Sequence, residues 1–80
     1  MKDSKQEKVV CKLKIIFEKL LDLKIKSLDD LVFDKTKNWD SLKHLQILVN
    51  VEKEFLIKIK TSDVMTLTSF NKIKDYILLN

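Results

Sequence analysis

Asp40-Ser41-Leu42 stands where a polar loop ending in Asn38-Trp39 turns into an amphipathic helix that continues through Lys43-His44-Leu45-Gln46-Ile47-Leu48. A serine at that junction holds its hydroxyl toward solvent at a helix N-terminus, where the first backbone N–H groups have no intrahelical acceptor. The positive end of a helix favours an anion, so the position suits a phosphate ester on the Ser41 hydroxyl. Asp40 is placed to cap the same helix. His44, one turn beyond, invites a Ser–His nucleophile reading. No third member and no oxyanion loop accompany the pair, and the chain is too short to build a cleft around it. His44 is therefore read as a surface or half-buried helix residue, and Ser41 not as a hydrolytic nucleophile. No catalytic residue and no metal site are expected. Cys11 is the one cysteine, which excludes an internal disulfide or a thiolate metal cluster and fits a reducing compartment.

Eighty residues lead us to expect one small domain spanning 1–80. Such a domain buries only roughly 60% of its unfolded surface, so every apolar helix face matters to its stability. No apolar run approaches the ~20 residues of a membrane span. The stretch from Val9 to Phe17 is broken by Lys12 and Lys14, which makes a poor signal peptide. A cytoplasmic protein that neither spans nor binds a membrane is expected. The net charge of +4 raises the question of nucleic acid, and its distribution answers it. Lys2, Lys5, Lys8, Lys12, Lys14, Lys19, Lys24 and Lys26 load the first third. Residues 28 to 40 are acidic on balance, and the helix after Ser41 is neutral, with Lys43 and Lys53 against Glu52 and Glu54. Arginine, the usual fork for guanine and phosphate, is absent. No nucleic-acid partner is expected.

Glycine and proline are also absent, so turns fall to Asp, Asn, Ser and Thr. That favours an all-α chain with polar joints over a β-sandwich of tight hairpins. Ser4-x-x-Glu7 reads as a capping box opening a first helix. Val9, Leu13, Ile16, Phe17, Leu20 and Leu21 give it one apolar stripe, ending near Leu23. A long connection follows over 24–40. Ser27-x-x-Asp30 has the pattern of a short capped turn, and Leu28, Leu31, Val32 and Phe33 are expected to anchor the loop on the core. Helix 2 runs from Asp40 or Ser41 to about Phe55. Ile47, Leu48, Val51 and Phe55 form its core face. Leu42, Leu45 and Val49 form a second apolar set, which belongs either to one wide core face or to a partner surface. Leu56-Ile57-Lys58-Ile59 alternates, but without a partner strand it reads as an extended connector. Thr61 or Ser62 caps a short third helix reaching Met65 and Leu67. Thr68 caps a fourth, containing Phe70, Ile73, Tyr76, Ile77 and Leu78. The expected architecture is a small four-helix bundle, three main helices and one short one, with a long loop between the first two.

From Ser41 onward the chain resembles the acyl carrier protein family. The resemblance rests on Asp40-Ser41-Leu42 at the start of helix 2, on Glu52-Lys53-Glu54-Phe55 at its end, on Ile59 and the short helix 3, and on the ending Leu67-Thr68-Ser69-Phe70-Asn71-Lys72-Ile73-Lys74-Asp75-Tyr76-Ile77. Helix 1 and the long loop match in length and pattern only. The resemblance implies that Ser41 carries 4'-phosphopantetheine, transferred from coenzyme A by a phosphopantetheinyl transferase that holds magnesium largely in its own active site. Ser41 Oγ would attack the β-phosphate and leave a phosphodiester at the head of helix 2. Asp40 would then serve as N-cap and as a carboxylate near the magnesium. The terminal thiol of the arm, rather than Cys11, carries acyl groups as thioesters for acyl-loading and acyl-transferring enzymes. The carrier itself is not an enzyme, and such carriers usually work as monomers. By position, Phe33, Leu48, Ile59, Val64, Leu67 and Ile77 are the implied lining of an acyl pocket. Leu42, Lys43, Leu45, Val49 and Glu52 are the expected partner-binding set.

The chain departs from the family pattern in three places. Members serving bacterial fatty-acid synthesis carry carboxylates on helix 2 that meet basic partners; the matching positions here are Lys43, Gln46 and Lys53, with only Glu52 and Glu54 kept. Charge complementarity governs on-rate and partner choice. The expectation is a carrier of a specialised bacterial biosynthetic pathway, fatty-acid or polyketide in kind, that avoids the general fatty-acid enzymes. Strong turnover with a housekeeping ketosynthase would count against it. Asn38-Trp39 replaces a glycine-containing stretch; Asn38 can still adopt positive φ, and Trp39 either packs over the loop or meets partners. The lysine-rich helix 1 has no family role. Two alternatives stand beside the acyl carrier: an aminoacyl or peptidyl carrier using the same serine, and an unmodified helical interaction module that binds a partner helix through Leu42, Leu45 and Val49.

Overall fold

Val9, Leu13, Phe17 and Leu21 recur at helical spacing and wind into α1 (Ser4–Leu21), with all four side chains buried. The computed structural model describes residues 4–27 and 30–79, and of residue 4 only the backbone. The Ser4 cap and the Leu28 anchor lie outside the described residues. Lys5, Lys8, Lys12 and Lys19 stand on the exposed side of α1, as the apolar stripe requires. The helix stops at Leu21 rather than near Leu23. Asp22 turns left-handed (φ 54°), and the Leu23 N–H reaches back to the Glu18 carbonyl at 3.3 Å. This is the Schellman closure that usually falls to glycine, made here by a residue that tolerates positive φ.

The long loop is tied down at both ends. Glu18 Oε2 accepts the Ile25 N–H at 3.0 Å, and Asn38 Nδ2 donates to the last carbonyl of α1, that of Leu21, at 2.9 Å. Asn38 holds φ 71° while doing so. Asp30 N–H donates to the Ser27 carbonyl, the one bond described for the turn expected there. Thr36 Oγ1 accepts from the Val32 N–H and donates to the Asp30 carbonyl. Leu31 is buried, whereas Val32 and Phe33 are half-buried.

Ser41 opens α2 (Ser41–Phe55), which buries His44, Ile47, Leu48 and Val51. It ends as α1 does: Leu56 is left-handed (φ 54°), its N–H and that of Ile57 both closing on the Glu52 carbonyl. An extended connector then half-buries Ile57 and Ile59 without forming a strand. Thr61 and Ser62 do not cap α3 (Thr61–Val64): Thr61 is already helical, and Lys60 holds the cap position with no side-chain bond. The short helix is fixed from outside instead. Tyr76 Oη donates to Asp63 Oδ2 at 3.1 Å and accepts the Lys60 N–H at 3.4 Å. Nor does Thr68 cap α4 (Phe70–Leu79); Ser69 Oγ accepts the Lys72 N–H at 3.1 Å. The Thr68 carbonyl is taken by Phe33 N–H, and Phe70 N–H donates to Leu31 O, an isolated antiparallel bridge between loop and helix start.

The result is an all-α bundle of three principal helices and one short one. Leu13, Phe17 and Leu21 of α1, Ile47 and Val51 of α2, and Phe70 and Ile73 of α4 are fully enclosed. Trp39 joins them from the loop, edge-on to Phe17 at 5.0 Å and to Phe33 at 5.9 Å, and is 4% exposed. It is a core residue and not a partner contact. Each enclosed aliphatic or aromatic side chain is worth about 1.5–3 kcal/mol relative to exposure. Among the described residues, no helix is long and apolar enough to cross a membrane.

Candidate functional site

Ser41 is the first helical residue of α2 and is exposed. Asp40 adopts extended backbone and closes the helix start through one side-chain and one main-chain oxygen: Oδ1 accepts the Lys43 N–H at 2.8 Å, and its carbonyl accepts the His44 N–H at 2.8 Å. The Ser41 and Leu42 N–H groups, ahead of the first helical carbonyls, have no intrahelical acceptor and lie at the positive end of the helix. The hydroxyl therefore stands on a rigid helix end with anion-favouring groups beside it. That rigidity comes from the preceding residues, since Asn38 is bonded to the end of α1 and Trp39 is sunk in the core.

His44 is buried, at 5% exposure, and so differs from the surface or half-buried position expected for it. Trp39 Nε1–H donates to His44 Nδ1 at 3.1 Å. The acceptor role at Nδ1 assigns the ring proton to Nε2, which donates to the Val64 carbonyl at 2.8 Å. The ring is packed among Phe33 at 5.5 Å and Trp39 at 5.8 Å. With both nitrogens engaged, His44 has no free base for Ser41. Its work is mechanical: one side chain joins α2 to the loop and to the end of α3.

Beside Ser41 opens a cavity of about 160 Å³. Phe33, His44, Leu45, Val64 and Met65 form its apolar wall, and Ser41 and Thr68 contribute hydroxyls. Of the six side chains expected to line an acyl pocket, Phe33 and Val64 are here. Leu48, Leu67 and Ile77 are instead closed core, each at 4% exposure or less, and Ile59 is half-buried on the connector. His44, Leu45, Met65 and Thr68 stand in the wall without belonging to that expected set. Thr68 arrives through the bridge between residues 32 and 69, and no periodicity in the sequence marks that pairing.

The second apolar set of α2 faces solvent. Leu42, Leu45 and Val49 are 63%, 53% and 45% exposed, so they are not part of one wide core face. Lys43 is half-buried at their margin. Glu52, expected to meet partners, has an internal bond: its Oε2 accepts the Ile59 N–H at 2.8 Å and holds the connector on α2. Glu54 lies 3.5 Å from Lys12 of α1. Cys11 is exposed on α1. Compared with protein-family models and with curated proteins, the chain gives no match.

Proposed function

We propose that this chain is an acyl carrier protein whose 4'-phosphopantetheine arm is attached at Ser41. The observation that carries the reading is an exposed serine, fixed as the first residue of a capped helix, opening onto an apolar cavity. When bound, the arm supplies a thiol that holds acyl groups as thioesters. The residues around Ser41 suit that attachment. The hydroxyl is free to attack the β-phosphate of coenzyme A, forming the Oγ–P bond as the nucleotide half leaves and the proton passes to a base of the transferase. The first N–H groups of α2 would hold the phosphodiester on Ser41 Oγ. Asp40 commits Oδ1 to the Lys43 N–H and, being exposed, can turn its other oxygen toward the transferase's magnesium.

The cavity favours an acyl over an aminoacyl or peptidyl cargo. A cavity of roughly 150 Å³ takes a benzene-sized molecule, so this one shelters a short apolar segment of arm or cargo. Its wall carries no carboxylate, and both His44 nitrogens are taken, so an ammonium group would be desolvated there without an anionic partner. The carrier would be a non-enzymatic monomer working in the cytoplasm, serving acyl-loading and acyl-transferring enzymes of a specialised route. A second reading, an unmodified interaction module, is favoured by the exposure of Leu42, Leu45 and Val49.

Intact mass before and after incubation with coenzyme A, magnesium and a permissive phosphopantetheinyl transferase separates the two. The carrier gains one phosphopantetheinyl group, and Ser41→Ala gains none. No gain on folded, initially unmodified protein would leave the interaction module as the reading.

A further inference from the structure

The exposed lysines of α1 are not scattered round the helix. Lys5, Lys8, Lys12 and Lys19, with Ile15 between them at 57% exposure, follow one another at intervals of three and four residues. That spacing puts them in one row on the solvent side, away from the buried Val9, Leu13, Phe17 and Leu21. The row is about 21 Å long at the helical rise of ~1.5 Å per residue. Glu7 and Glu18, the carboxylates of α1, fall in the neighbouring row with Cys11 and Lys14, and Glu18 is taken by the Ile25 N–H. Beside the lysine row stand Glu54, 3.5 Å from Lys12, and Asp22, just past the helix end and followed by the exposed Lys24 and Lys26. The rest of the chain does not share this imbalance. Residues 28–80 hold eight lysines and eight side-chain carboxylates, so the net charge of +4 falls entirely before residue 28.

We propose that this row of α1 is a docking surface for an anionic lipid bilayer. A positive ridge attracts such a surface, and each lysine near the headgroups adds its own share. Headgroups are mobile, so they meet lysines along a straight ridge without any register, and Ile15 stands mid-row to enter the headgroup layer. The contact needs no apolar span. It fits a chain in which no described helix can cross a membrane, and it replaces the expectation of no membrane contact. An acidic protein groove fits less well. Protein interfaces are poor in lysine and take most of their energy from Trp, Tyr and Arg, none of which stands in the row. A nucleic acid fits less well for a related reason, since the row has no arginine fork and no aromatic side chain on which a base stacks. The cavity beside Ser41 is lined without any residue of α1, so the proposal does not rest on the carrier reading.

The test is sedimentation of the full chain with dense-loaded vesicles, either phosphatidylserine mixed into phosphatidylcholine or phosphatidylcholine alone. At low salt the chain should sediment with the first and stay in solution with the second. The apolar stripe of α1 is locked in the core, so the contact is electrostatic and salt at ~0.5 M should release it. Lys8→Gln and Lys19→Gln should each lower binding about fivefold. Both positions are exposed, so neither change disturbs the core. Lys58→Gln with Lys60→Gln removes two charges from the connector instead, and should lower binding far less than the paired change on α1. Equal sedimentation with both vesicles, sedimentation with neither, or equal losses from the two paired variants would overturn the proposal. So would a glutamate-rich peptide or a DNA duplex that moves the α1 amide shifts at concentrations where the phosphatidylserine vesicles bind nothing.

Discussion

Leu45 and Leu48 are the same residue type less than one turn apart on α2, and they live in different surroundings. Leu48 is 3% exposed in the core, and Leu45 is 53% exposed beside the cavity. The whole helix divides along that line. His44, Ile47, Leu48 and Val51 fasten it to the bundle, while Leu42, Leu45 and Val49 do little to hold it there. One apolar stripe is enough to seat a surface helix. The buried row is explained by stability. The exposed row is contiguous and lies next to Ser41, so burial in the bundle does not account for it, and it is the row that the proposed function would use for contact.

The sharpest way to break this comparison is to truncate the buried leucine. Leu48→Ala should destabilise the protein by roughly 2–5 kcal/mol, through lost transfer energy and the hole left behind. In a domain of this size that is a large part of the total. A chemical denaturation midpoint that did not move would mean that α2 is rotated and that its two rows have been confused. His44→Ala comes next. It orphans the Trp39 N–H and the Val64 carbonyl, at about 1–3 kcal/mol for each group that stays buried and unpaired. Tryptophan fluorescence should shift with it, because Trp39 loses its acceptor; an unchanged spectrum and midpoint would show that the ring does not join loop to α3. Asp40→Ala removes the cap of the same helix and should cost about 0.5–2 kcal/mol, read from the same denaturation curve.

These residues also mark what sequence alone can and cannot disclose. The helices, the core row of α2 and the cap at Asp40 follow from local rules, namely spacing of 3.6 and a carboxylate before an apolar run. The position of His44 does not, since its bonds are to Trp39 across the loop–helix junction and to Val64 twenty residues on. The caps of α3 and α4 were misplaced for a similar reason. Thr61, Ser62, Thr68 and Ser69 are chemically near-equivalent candidates. The choice is made by Tyr76 gripping residues 60 and 63, and by the bridge that occupies the Thr68 carbonyl. The candidate cavity was half legible for the same cause: Phe33 and Val64 were in view, but Thr68 and Met65 depend on how α3 and the bridge close over α2.

Leu56 is a third kind of exposed leucine, and separating it from Leu45 sharpens the comparison. It is 89% exposed and left-handed, and of the three described residues with positive φ (Asp22, Asn38 and Leu56) it is the one that is neither Asp nor Asn. A branched side chain in that conformation is strained, and no burial offsets it. Leu56→Gly should therefore stabilise the protein by about 0.5–1 kcal/mol, visible as a higher denaturation midpoint. A loss of stability would show that Leu56 packs on something and belongs with the buried row.

Leu45→Ala should produce the smallest change in stability, within about 0.5 kcal/mol, because the side chain is already half in water. That silence is informative only beside a second measurement. If the exposed row is a contact surface, the same variant should lower the rate at which Ser41 is modified at sub-saturating carrier, while the rate at saturation changes less. Weakened encounter is read in the first quantity, and the hydroxyl and its cap are untouched in the second. A variant as stable as the parent and modified just as fast at every concentration would return Leu45 to the ordinary exposed apolar residues of any small protein. The asymmetry of α2 would then be a matter of composition, with no bearing on what approaches Ser41.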